Sequence, residues 1–242
     1  MISGISGVYI FIGFLILAGT ICQGTIGFGL GTIATPILTL VKPELVPTLI
    51  LMLALVIASI TTIKTHEQVA WKVVAISSLA RLPGTLLGAW AVATLSHDGL
   101  SLIIGCAVIL AMSLSGLGWS PQPNTRNTVV AGVASGFLGT STSIGGPPMA
   151  LIMKRFDPRR VRGTLSATFV LGCIISLITL GVSGQITMFQ LKAAAAYLPL
   201  TIIGLIAANY LNRYINSKIL NRVVLVVAIS AAAILIVQSL FF

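Results

Sequence analysis

Apolar residues fall in eight runs, near 8–40, 46–63, 72–95, 99–118, 127–153, 163–183, 191–211 and 219–242, with short polar segments between them. Most are close to the ~20 residues that carry an α-helix across a ~30 Å hydrocarbon core. The pattern predicts an all-α integral membrane protein. Two runs differ from the rest. The first is interrupted by GTIGFGLG (24–31), and the fifth by GTSTSIGGPP (139–148). A segment that only crosses lipid gains nothing from such a break. Each unpaired backbone N–H or C=O costs several kcal/mol in hydrocarbon, so breaks persist only where protein or water covers them.

The two interrupted runs match each other. Gly24, Gly27, Pro36 and Lys42 align with Gly136, Gly139, Pro148 and Lys154 at an offset of 112. A second match, LPGTLLG (82–88) with LPLTIIG (198–204), has an offset of 116. Two matches in the same order predict an internal repeat. The halves are 1–118 and 127–242, joined by a linker at 119–126, within one transmembrane domain. Residues 8–22 make only ~22 Å of helix, too short to span, so each broken run is expected to be a re-entrant hairpin. A hairpin followed by three transmembrane helices gives each half an odd number of crossings. The halves are then inverted repeats, an architecture common among secondary transporters.

Charge fixes the orientation. Lys154, Arg155, Arg159, Arg160 and Arg162 crowd one loop, which should be cytoplasmic. With the hairpins in place, loops 64–72, 154–162 and 213–222 fall inside, and Lys42 and Lys192 outside. Only 7% of residues are charged and 57% are hydrophobic, which no soluble domain could carry. The net charge of +10 sits in loop clusters and forms no basic face, so nucleic acid is not an expected partner. The N-terminus MISGISGVYIFIG lacks basic residues, which argues against a cleaved signal peptide. Cys22, Cys106 and Cys173 lie in apolar runs and are read as small buried residues, not as a disulfide or metal set.

The breaks aim helix N-termini, with their free N–H groups, at the middle of the bilayer. Gly27, Gly29, Gly31, Gly145 and Gly146 allow tight turns and close approach of a ligand. Pro36 and Pro147 suit the first turn of the helix after each break. Ser141, Thr142 and Ser143 add hydroxyl donors. Arg81 lies about ten residues into the third run, near mid-bilayer, where a guanidinium is costly and faces a cavity or a partner. All four acidic residues, Glu44, Glu67, Asp98 and Asp157, are in loops. The counter-anion of Arg81 could therefore be a small anionic substrate, gripped by the planar donor fork. Alternatively Arg81 snorkels or bonds carbonyls freed by the breaks. Tyr197 aligns with Arg81 in the other half and would add a phenolic donor. Gln23 fits either a ligand contact or helix packing. The two histidines, His66 and His97, are loop residues. No catalytic residue, metal site or cofactor is expected, and no GxxxxGK[ST] loop is present to use ATP directly.

The segments GTIGFGLGTIATPIL (24–38) and GFLGTSTSIGGPPMALI (136–152) resemble those of the TauE/SafE-type sulfite exporter family, along essentially the whole chain. The resemblance implies a bacterial inner-membrane transporter for small sulfur-containing anions such as sulfite, sulfoacetate or other organosulfonates, usually moved outward. Three other readings stay open on the residues alone. One is an anion channel with a continuous pore. Another is an intramembrane serine hydrolase built on Ser141 or Ser143, which lacks a GxSxG setting and a nearby base. The third is a structural subunit, which gives Arg81 no purpose. A homodimer is also left open.

Overall fold

The computed structural model describes residues 2–116, 121–211 and 217–241. Among these, ten helices form and no strands: α1 (Ile2–Ile26), α2 (Leu30–Val41), α3 (Thr48–Thr65), α4 (Trp71–Thr94), α5 (His97–Gly116), α6 (Thr125–Thr142), α7 (Gly146–Ile152), α8 (Pro158–Val182), α9 (Met188–Leu211) and α10 (Ser217–Phe241). Short 3-10 turns at Pro43–Leu45 and His66–Gln68 flank α3. Part of the expected linker, 119–120, and part of the expected loop, 213–216, lie outside the described residues. The rest of that loop, 217–222, is the first part of α10. Among the described residues, five helices are long and apolar enough to cross a membrane: α1, α3, α4, α8 and α9. Large apolar side chains such as Phe14, Leu79, Leu86, Trp90 and Ile178 are exposed. In water such a surface would aggregate; in lipid it is the solvated face.

Each half runs as two helices split by a break, then three further helices. The first break comes later than expected, and α1 is long enough to cross the membrane, so the length argument for a re-entrant first hairpin does not hold. Helix α1 has 25 residues, or ~37 Å, against the ~22 Å expected for 8–22. Its glycines do not end it, because they serve packing. A Cβ on Gly19 would strike Leu30, and one on Gly24 would strike Ala208 of α9. The helix stops instead at Gly27, whose φ is +91°. The second helix of the pair restarts after Gly29 because the Gln23 side chain caps it: Leu30 N–H donates to Gln23 Oε1 at 3.3 Å. Pro36 is consequently well inside α2 rather than in its first turn. The second break is sharper. Ser143 takes the left-handed conformation (φ 60°), and Ile144 N–H closes back on Leu138 C=O at 3.3 Å, a left-handed helix cap. Pro147 is in the first turn of α7, as expected.

Three positive-φ residues mark the breaks, Gly27 and Gly29 at the first and Ser143 at the second.

Helix pairings recur when the halves are exchanged. Helix α4 packs on α6 as α1 packs on α9; α4 meets α8 as α9 meets α3; α5 lies on α10. Tyr197 Oη donates to Tyr9 C=O (3.0 Å), and Gln190 Nε2 to Glu44 C=O (2.7 Å). These bonds gather the early part of α1, the turn after α2 and the early part of α9 at one end of the molecule. At the other end, Ala70 N–H donates to Thr164 Oγ1 at 3.0 Å, and Met153 packs with Leu165 and Val73. Helix α6 runs alongside α4 in the same direction, since Gly132 faces Ser77 and Thr140 faces Gly88. Small residues at these crossings let the backbones close in. Of the three cysteines, Cys22 and Cys173 are buried, but Cys106 is exposed on the outer face of α5, contrary to expectation.

Candidate functional site

The two breaks meet in the interior. Phe28 of the first lies over Gly146 of the second, and the backbone of Ser143 presses so closely on Gly31 that a Cβ there has no room. Between them is a cavity of about 20 Å³, with Arg81, Gly139, Phe169 and Cys173 on its other walls. That is room for about one water molecule.

Arg81 is 2% exposed. It neither snorkels nor bonds backbone carbonyls. Its Nη1 donates to Ser135 Oγ (3.2 Å) and its Nη2 to Ser176 Oγ (3.3 Å). Nε has no partner. The guanidinium is inserted between α6 and α8 at Gly139 and Gly172; a Cβ on either would overlap it. The two serines are themselves held. Ser135 Oγ donates to Gly145 C=O at 2.7 Å, and Ser176 Oγ shares a hydrogen bond with Thr140 Oγ1 at 2.7 Å. A three-residue chain thus ties Arg81 to the second break. All four acids are distant from the cavity. Glu44 and Glu67 are in the 3-10 turns, Asp98 is in the first turn of α5, and Asp157 precedes α8. The chemistry on offer is a fixed positive charge, hydrogen-bond donors and no negative group.

Of the residues expected at the site, Gly29, Gly31, Arg81, Ser143, Gly145 and Gly146 line this cavity, and Gln23 joins them. Gly27 lies aside, against the backbone of Arg162. Pro36 and Pro147 are not on the wall. The expected hydroxyl donors are already committed. Ser141 Oγ and Thr142 Oγ1 donate to the carbonyls of Phe137 (2.7 Å) and Leu138 (2.6 Å), one turn back in α6. Such back-bonding satisfies a hydroxyl within its own helix. Ser143 Oγ donates across to Pro47 C=O at 2.9 Å. Tyr197 is also elsewhere: its hydroxyl holds Tyr9, and its ring lines an apolar groove between α1 and α9.

Sequence reasoning missed Ser135 and Ser176. A signal existed in the spacings Ser135–Gly139 and Gly172–Ser176, small residues four apart that share one helix face. Ser135→Ala should remove the link from Arg81 to Gly145 and leave that buried carbonyl unpaired. The expected cost is ~1–3 kcal/mol of stability by thermal unfolding, together with weaker anion binding.

The described residues form a multi-pass membrane protein in which two broken helices close on a buried arginine. The chain belongs to the sulfite exporter TauE/SafE family, whose model matches residues 9–235. A curated relative, the probable sulfite/organosulfonate exporter TauE of Cupriavidus necator, is 26% identical over 202 residues, 78% of each chain. No solved structure matches.

Proposed function

We propose that this protein is a secondary transporter that moves a small sulfur-containing anion, sulfite or an organosulfonate such as sulfoacetate, outward across the bacterial inner membrane. The observation that carries this reading is Arg81: a buried guanidinium whose partners are neutral hydroxyls, facing a cavity with no acidic wall. A guanidinium fork matches sulfonate and sulfite oxygens. The family and the activity named for the relative point to the same substrate class.

The halves act as inverted repeats, and their relative rocking gives alternating access. Support comes from helix pairings that recur on exchange of halves, and from broken pairs whose outer ends lie at opposite ends of the molecule. Two closures flank the cavity. The Ser143–Pro47 hydrogen bond lies toward one end, and Phe28 and Phe169 pack over Gly146 toward the other. Both are shut, which favours a carrier over a continuous pore. Sulfite has four heavy atoms and does not fit a water-sized space, so loading requires one closure to open.

The test is flux of labelled sulfite and sulfoacetate in proteoliposomes. A carrier gives saturable flux and counter-transport; a channel gives neither. If no imposed gradient moves either anion, the substrate class is wrong.

A further inference from the structure

We propose that the space beside Arg81 is a binding site for a single-atom anion of the halide class. This ion takes the oxyanion's place on the return half of the cycle and makes the carrier an anion exchanger. The inference rests on the transport reading above and adds what couples it.

Size is the first ground. The cavity of about 20 Å³ accommodates one particle near the size of water. In this closed form a halide fits without rearrangement, whereas an oxyanion of sulfur needs a wider occluded form.

Charge is the second. The guanidinium of Arg81 is 2% exposed, and Ser135 and Ser176 offer it dipoles but no charge. Burying an uncompensated charge is costly, and the unpartnered Nε is one further donor still to be satisfied. The chain has only four acidic side chains, and none reaches this wall.

Donor balance is the third. Gln23 spends its side-chain oxygen on Leu30 N–H, which leaves its NH₂ as the end available to the cavity. The first turn of α2 contributes Gly31 and Thr32 to the wall, where helical amides lack intrahelical acceptors. Several donors converge on this one small space, an arrangement that suits a spherical anion.

The consequence is a coupling rule. With no anion, the closed form leaves Arg81 unneutralised at mid-membrane, and reorientation is slow. With a halide, the closed form is stabilised and the carrier returns.

Two measurements test this. In detergent, the purified protein is unfolded thermally in sodium gluconate with chloride added. Chloride at ten times its dissociation constant should raise the melting temperature by about 3–6 °C. Arg81→Gln should show no such rise, and Arg81→Lys, which keeps the charge, should retain part of it. In proteoliposomes loaded with labelled sulfite, external chloride in place of gluconate should speed efflux by about ten-fold or more, with labelled chloride entering as sulfite leaves. No chloride-specific thermal shift in the wild type, or an equal shift in Arg81→Gln, overturns the site. A shift without accelerated efflux overturns the exchange. If sulfite is not carried at all, the transport reading fails by itself, and the thermal shift still decides whether the halide site exists.

Discussion

Arg81→Gln should lower anion transport by about 100-fold while leaving the fold as stable as before. Hydrogen bonds to charged groups contribute ~1.5–3 kcal/mol, and the upper end of that range is about two orders of magnitude in affinity. The loss falls on the loaded state, because only there does the arginine meet an opposite charge. In the unloaded protein its partners are the hydroxyls of Ser135 and Ser176, and a glutamine amide, though shorter, keeps a neutral donor in their place. Removing an uncompensated buried charge offsets whatever packing is lost. Arg81→Lys should fall between: the charge survives but the two-pronged fork does not. The readouts are flux in proteoliposomes and thermal unfolding of the same preparations. Normal flux in Arg81→Gln would make the arginine a structural residue. Loss of folding in that variant would mean that the two serine bonds hold the helices together.

Gly31→Ala should be the most damaging single-methyl change at the site. The added Cβ would overlap the carbonyl group of Ser143, which is backbone and cannot rotate away. Over-packing of this kind costs ~1–3 kcal/mol, and here it also forces apart the two breaks that form the cavity. Both stability and transport should fall. Gly7→Ala is the control. Nothing lies within 4 Å of a Cβ at that position in α1, so the change should be neutral or stabilising by ~0.5–1 kcal/mol. Equal melting temperatures for the two variants would show that the breaks are not in close contact.

Much of the architecture was legible because membrane helices announce themselves by length and apolarity. The two breaks were legible because glycine and proline in an apolar run have few other uses. Arg81 stood out for the same reason: charge is rare enough there to be informative. What was not legible depended on the third dimension. Gly24 belongs to the expected break, but it is a contact point with Ala208, as Gly19 is with Leu30. No one-dimensional pattern separates a glycine that turns the chain from one that lets a neighbour approach. The hydroxyl cluster at 141–143 looked like a set of ligand donors. In a helix, though, serine and threonine can bond the carbonyl four residues back, and two of the three do so. Tyr197 aligns with Arg81 in the sequence match, yet such an alignment does not fix what the side chain meets. Ser135 and Ser176 went unnoticed because serine is ordinary in membrane helices, and only the guanidinium between them singles them out.

The separation of Arg81 from its partners along the chain bears on how the protein is made. Ser135 follows it by 54 residues and Ser176 by 95. At ~5–20 residues per second, Ser176 leaves the ribosome roughly 5–20 s after Arg81. Helix α4, the least apolar of the five candidate spans, therefore has to wait in or beside the insertion machinery with its guanidinium unpartnered. It settles only when the second half of the chain has been synthesised. A ribosome stalled before α8 would leave behind a first half that cannot complete its own membrane integration.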